Sequence, residues 1–223
     1  MVTPSRREMK NFNLAVLASG SGTNLQAIID AIKKKKLPAK IKIVISNNND
    51  AYALKRARKN KIKTLHLSHK QFVSPRVFDQ KLISILKKEK IDLIALAGYM
   101  KRLSPSVVRK FKNKIINIHP ALLPRFGGKG MYGIHVHEAV LKSKAKTSGV
   151  SVHLVDEKYD RGAIVFQKEI SVRDNDTAES LQKRVLKIEH QVYPYVIGLF
   201  VRNKILIKGR KVYIRNSGRE KIY

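Results

Sequence analysis

The chain has 223 residues, enough for one domain with a substantial buried core, and no cysteine, which excludes disulfides, thiolate metal sites and a cysteine nucleophile. Its 47 Lys and Arg against 16 Asp and Glu give a formal charge of +31. Such a balance favours polyanions in general, but the lysines are spread along the whole sequence without the interleaved aromatics of a single-strand stacking platform, a pattern that a generally basic proteome also produces.

The first residues, 1–10, are basic and no apolar stretch follows them to form a signal peptide. Residues 13–18 (NLAVLA) read as a short apolar strand, then a loop, then a helical pattern over 24–35. Residues 41–45 form a β-branched strand, 51–60 a helix and 64–67 a short strand. Ser74 followed by Pro75 opens a helix by capping and Pro-first logic, with Phe78, Leu82, Ile85 and Leu86 on one face. The run 93–100 is the longest apolar one, a buried strand with its exit loop and far short of the roughly 20 residues a membrane-spanning helix needs. Ser104-Pro105 repeats the helix-start signal, 115–118 is a strand, 135–142 a helix, and 149–155 and 163–170 are β-rich. A long helix begins near Thr177, where Asp176 and Glu179 have capping-box spacing; Pro194 is expected to kink or break it. Residues 204–215, with Gly209 at the turn, predict a terminal hairpin.

Strands alternating with helices at this spacing predict an α/β fold: a single Rossmann-like, doubly wound, mostly parallel sheet with helices on both faces, plus a short C-terminal β-hairpin. The expected organisation is a flexible extension over 1–10, one catalytic domain over 11–203 and a hairpin and tail over 204–223. Ligands of such sheets bind beyond the carboxyl ends of the strands. A cytoplasmic protein without membrane contact is expected.

Three loops at those ends carry the candidate chemistry. Residues 19–24, Ser-Gly-Ser-Gly-Thr-Asn, join the first strand to the first helix, where glycines and free helix N–H groups suit a phosphate monoester; a plain capped turn reads the same way. The third glycine of a dinucleotide fingerprint is missing, and so is the Gly-Lys-Ser/Thr of an ATP loop. Asn117 and His119 alternate onto one side of a strand end, as an oxyanion site with a proton carrier or as a mutually satisfied polar pair. The acidic turn 156–162 is either a solvated loop or the source of a carboxylate that raises the His119 pKa and orients the ring. His119, His135, His137 and His153 lack the spacing and companion ligands of a zinc site, so no metal is expected. Residues 127–130, Gly-Gly-Lys-Gly, have no hydroxyl after the lysine and read as a flexible loop near the site.

Taken together, residues 17–28, Ser46-Asn47, residues 97–100 and 117–120, Leu122-Leu123-Pro124, Ser151-Val152-His153, Asp160-Arg161-Gly162, Glu189-His190 and Tyr193-Pro194 resemble the phosphoribosylglycinamide formyltransferase branch of the folate-dependent formyltransferases, from about residue 11 to residue 200. The resemblance implies formyl transfer from 10-formyltetrahydrofolate, as cosubstrate, to the amine of phosphoribosylglycinamide in purine biosynthesis. It implies a catalytic trio Asn117, His119 and Asp160; Gly22, Thr23, Asn24 and Glu189 at the amine substrate; and Arg76, Met100, Lys101, Arg102, Leu103 and Asn117 at the folate. Lys101 stands where many relatives have arginine, and the 126–133 loop is longer than in the shortest ones. The expected partners are these small molecules, with no sequence-specific nucleic acid, and the expected assembly is a monomer or homodimer. A sibling acting on methionyl-tRNA would be expected to carry a further C-terminal domain, and a formyltetrahydrofolate hydrolase an N-terminal regulatory one.

Overall fold

A computed structural model describes residues 12–216 and 219–222; the extension expected over 1–10 lies outside the described residues. The elements in chain order are β1 (Asn13–Leu17), α1 (Thr23–Lys33), β2 (Lys40–Ser46), α2 (Tyr52–Lys59), β3 (Thr64–His66), a single 3-10 turn (His69–Gln71), α3 (Pro75–Lys88), β4 (Leu93–Leu96), α4 (Pro105–Lys110), β5 (Ile115–His119), α5 (Ile134–Lys142), β6 (Thr147–Leu154), β7 (Ile164–Ser171), α6 (Ala178–Val201), β8 (Ile205–Lys208), β9 (Lys211–Asn216) and β10 (Arg219–Ile222). The first seven strands form one sheet in the order β3-β2-β1-β4-β5-β6-β7. Pairings from β3 through β5 are parallel, and β6 and β7 add antiparallel strands at one side. The direction of winding reverses between β1 and β4, so the crevice of the switch point opens between the loops that follow those two strands.

Alternation along β1 fills both faces. Leu14 and Val16 enter a core with α1, α2, α5 and α6, while Ala15 and Leu17 enter the opposite core with α3 and α4. Ser74 and Ser104 cap α3 and α4 through Val77 N–H (3.3 Å) and Val107 N–H (3.4 Å), each with proline at the start. The cap of α6 differs from expectation. Thr177 and Ser180 form the capping box, and Asp176 is spent instead on the Ser180 hydroxyl (2.7 Å) and on Arg184. Pro194 does not break α6, which runs on to Val201. A proline inside a helix costs about 3 kcal/mol, and burial of Val192, Tyr193, Val196 and Ile197 around it outweighs that.

Helices α1, α2 and α3 end alike. Lys35, Lys61 and Lys90 take left-handed backbone (φ 56, 56 and 51), and the next N–H in each case returns to the carbonyl of Ala31, Ala57 or Leu86. This Schellman closure is usually made on glycine; a side chain there bears roughly 1–2 kcal/mol of strain.

The expected C-terminal hairpin forms with Gly209 (φ 60) at its turn, and β10 pairs with β9 to make it a three-stranded sheet. Val212 of β9 is fully buried in the larger core. Among the described residues no helix is long and apolar enough to cross a membrane.

Candidate active site

At the carboxyl ends of the strands lies a cleft of about 660 Å³. Its floor begins with the loop after β1. Gly22 caps α1 in the left-handed conformation (φ 69), and a Cβ there would lie 2.7 Å from Ala53, so both backbone and space demand glycine. No side chain caps α1, which leaves its first N–H groups to a ligand. The loop is held from behind: Arg56 Nε donates to the Ser21 carbonyl (2.8 Å), and Ala53 N–H to that of Gly20 (3.0 Å). Ser19 joins it to the loop after β4, donating to Asn47 Oδ1 and accepting from Met100 N–H (2.8 Å).

Asn24 and Glu189 meet beneath this loop. Asn24 Nδ2 donates to Glu189 Oε2 at 2.6 Å; both residues are buried, and Asn24 Oδ1 has no partner. Burial pushes the Glu189 carboxyl up to about 7, against the opposing hydrogen bond from Asn24. Segment Met100, Lys101, Arg102 and Leu103 forms the opposite wall; all four line the cleft, and only Leu103 is buried.

Asn117, His119, His153 and Asp160 converge at the seam between β5 and β6, where Asn117 pairs in register with His153. His153 Nδ1 lies 2.9 Å from the Leu154 carbonyl, which only accepts, so that nitrogen carries the proton. In the neutral ring Nε2 then accepts from Asn117 Nδ2 (3.2 Å), which leaves the second amide N–H of Asn117 for a ligand. Asp160 sits between the imidazoles, 3.4 Å from His153 Nε2 and 3.8 Å from His119 Nδ1, and accepts from Gly128 N–H at 2.9 Å. Burial alone would raise its pKa, but the N–H that His153 Nε2 presents when its ring is protonated, the Gly128 N–H and the His119 ring outweigh it and leave the carboxyl below its ordinary value.

The expected rise of the His119 pKa is not found. Burial lowers it, Asp160 and the Phe126 carbonyl raise it only in part, and His153 lowers it further. His119 Nε2 donates to that Phe126 carbonyl at 2.7 Å, so the ring is tied to the 126–133 loop. Behind it, His137 of α5 is buried, has an unpartnered Nδ1 and is held down to about 4 by burial and by His119. Ser151 fixes the turn after His119, donating to the Ala121 carbonyl (2.6 Å) and accepting from Leu123 N–H (2.9 Å) and Gln167 Nε2 (2.8 Å).

Of the sequence-predicted residues, Gly22, Thr23, Asn24, Met100, Lys101, Arg102, Leu103, Asn117, His119, Asp160 and Glu189 all line this one cleft. Arg76 does not: Phe78 and Leu82 take the buried face of α3 and turn Arg76 out to solvent. In the sequence His137 reads only as a rejected metal ligand, and His153 as that and as part of the Ser151-Val152-His153 motif, with no role at the site assigned to either. For His153 the signal was its place on a strand that pairs with Asn117, which needs the register to be known.

The formyl transferase family profile matches residues 12–197. Relatives include the phosphoribosylglycinamide formyltransferases of Haemophilus influenzae, 39% identical over 201 residues that cover 90% of this chain and 92% of that one, and of the Arabidopsis thaliana chloroplast, 40% identical over 92% of this chain and 70% of that one. Among solved structures, glycinamide ribonucleotide transformylase 1 from Symbiobacterium toebii superposes with a TM-score of 0.86 at 38% identity, covering 93% of this chain and 95% of that one. The chain belongs to the formyl transferase family, among its phosphoribosylglycinamide formyltransferases.

Proposed function

We propose that this enzyme transfers the formyl group of 10-formyltetrahydrofolate directly to the amine of phosphoribosylglycinamide, with Asn117, His119 and Asp160 at the reacting atoms. The observation that carries the reading is the meeting, in one cleft, of an uncapped helix N-terminus behind a Gly-Ser-Gly loop with the Asn117–His119–His153–Asp160 cluster. The first suits the phosphorylated substrate, with Gly22, Thr23 and Asn24 around it and Glu189 toward its ribose or glycine end. The wall from Met100 to Leu103 suits the folate.

In the transfer the amine nitrogen bonds to the formyl carbon, the carbon–nitrogen bond to the folate breaks, and a proton passes from the amine to the folate nitrogen. Asn117 donates its free amide N–H to the carbonyl oxygen as it becomes an oxyanion. His119 starts neutral, since its pKa is held down, and its Nε2–H is occupied by Phe126 O. Displacement of that carbonyl as the substrates enter frees this donor for the same oxygen. Charge building on the oxygen strengthens that hydrogen bond, and Asp160 on the far side of the ring supports it. Asp160, ionised at neutral pH, also receives the proton of the amine through a water and returns it to the leaving nitrogen. Holding both substrates in one cleft supplies much of the rate.

The test is a transfer assay with 10-formyltetrahydrofolate, with and without phosphoribosylglycinamide, read by mass spectrometry of the product. Amine-dependent formylation that falls about a hundredfold or more in His119→Ala and Asp160→Asn is expected. Deformylation without the amine identifies a hydrolase instead, and near-normal turnover in His119→Ala removes His119 from the mechanism.

A further inference from the structure

Because the helices run back against the strands, the C-terminal ends of α1 to α4 collect at the pole opposite the cleft. Four turns build that pole: residues 33–36, 58–63, 87–90 and 110–114. They contain fourteen lysines and arginines, all exposed; the acidic residues beside them include Glu89, which Lys63 already pairs at 2.6 Å, and Asp92, which accepts from Asn13 N–H at 2.8 Å. Helix dipoles account for little of this. Four helix ends present about two negative charges between them, at roughly half a charge each, against fourteen cations.

Two further observations mark this pole. Of the four lysines with left-handed backbone among the described residues, Lys35, Lys61 and Lys90 lie in these turns and only Lys144 lies elsewhere; glycine would be unstrained at each, so three cations are kept here at a cost in stability. Lys87 and Lys110, from neighbouring turns, lie close enough that the second ammonium lowers the pKa of the first, a crowding of like charges that an anion between them would relieve. The exposed large apolar side chains among the described residues, such as Tyr52, Val73 and Tyr132, all lie outside the four turns. The pole therefore has no ring to stack a base and no wedge to enter a bilayer.

We propose that this pole is a binding surface for the phosphate backbone of nucleic acid, engaged without sequence preference while the cleft on the opposite pole stays open. Across the five strands from β3 to β5 the surface is about 19 Å wide at the usual strand spacing, which spans some five to six phosphates of one strand at about 3.4 Å each.

Fluorescence anisotropy of a labelled mixed-sequence 20-base-pair duplex tests this. Wild type is expected to bind with a slope of log K against log salt of about −5. The triple variant Lys35→Gly, Lys61→Gly, Lys90→Gly is expected to bind at least tenfold more weakly at 0.1 M salt, with a slope smaller by two to three, since each lost phosphate contact removes about 0.9. Its melting temperature is expected not to fall, because glycine suits those positions, and its formyl transfer to match wild type. A control triple variant, Lys146→Gln, Arg173→Gln, Lys187→Gln, removes equal charge elsewhere and is expected to bind nearly as wild type does. Equal weakening in both variants overturns the proposal in favour of a bulk charge effect. Absence of duplex binding by wild type at 0.1 M salt overturns it as well, and so does capture by phosphatidylserine vesicles in preference to the duplex.

Discussion

Asp160 and Glu189 are both carboxyls of the cleft, yet their surroundings push them in opposite directions. Asp160 has two imidazoles and a backbone N–H around it and stays ionised; Glu189 has one amide N–H and little solvent, and burial lifts it to about 7. The raised value couples Glu189 to stability. Its unfolded pKa is near the ordinary 4.5, so between 4.5 and about 7 the unfolded chain is ionised there while the folded protein holds its proton. The favourable contribution of the protonated group is fully present below about 4.5 and is lost as pH rises through about 7, up to about 3 kcal/mol. Glu189→Gln imitates the protonated form. Its melting temperature relative to wild type is therefore expected to climb across this window and to level off above it. Melts of both proteins from pH 5 to 8.5 check this, and a difference that stays constant with pH rules out the linkage. Binding of a substrate hydroxyl or ammonium at Glu189 would favour the ionised form and release that proton.

At the scale of elements, the loop that delivers Asp160 depends on a close approach of backbones. A Cβ at Gly162 would lie 1.7 Å from the Leu154 carbonyl oxygen, at the point where β6 hands over to the acidic turn. Gly162→Ala is expected to force that turn away from β6 and to cost about 1–3 kcal/mol or more, a fall of at least 2 °C in melting temperature. It should also lower turnover more than stability alone explains, since Asp160 moves with the turn; thermal melts beside the transfer assay read both, and an unchanged melt rejects the packing argument. The same turn shows where the sequence is legible and where it is not. Alternating strands and helices, the Ser-Pro helix starts and the three site loops can all be read locally, because periodicity and capping act within a few residues. The membership of His153, the solvent-facing place of Arg76, the Thr177–Ser180 cap and the survival of α6 through Pro194 depend on partners far along the chain. The low pKa of His119 depends likewise on how deeply the fold buries it, which neither its neighbours in sequence nor the nearby carboxylate reveal.

The whole molecule carries +31 charges on 223 residues, and its repulsions must outnumber its attractions. The acidic groups that do pair, as in Lys63–Glu89 and Arg109–Glu157, are at least partly exposed on the cationic side and contribute little each. The many unpaired lysines repel one another over distances comparable with the Debye length, about 10 Å at 0.1 M and near 30 Å at 0.01 M. Screening therefore removes more repulsion than attraction. Raising sodium chloride from about 0.01 to 0.3 M is expected to raise the melting temperature by several degrees, with most of the gain below 0.1 M, where the screening length shortens fastest. The substrate phosphate shares this field, so the KM for the phosphorylated amine is expected to rise over the same salt range while kcat changes less. Calorimetry and steady-state kinetics on one salt series measure both. A melting temperature that falls with salt would mean that the few ion pairs outweigh the collective repulsion, and the basic excess would then be locally neutralised despite its size.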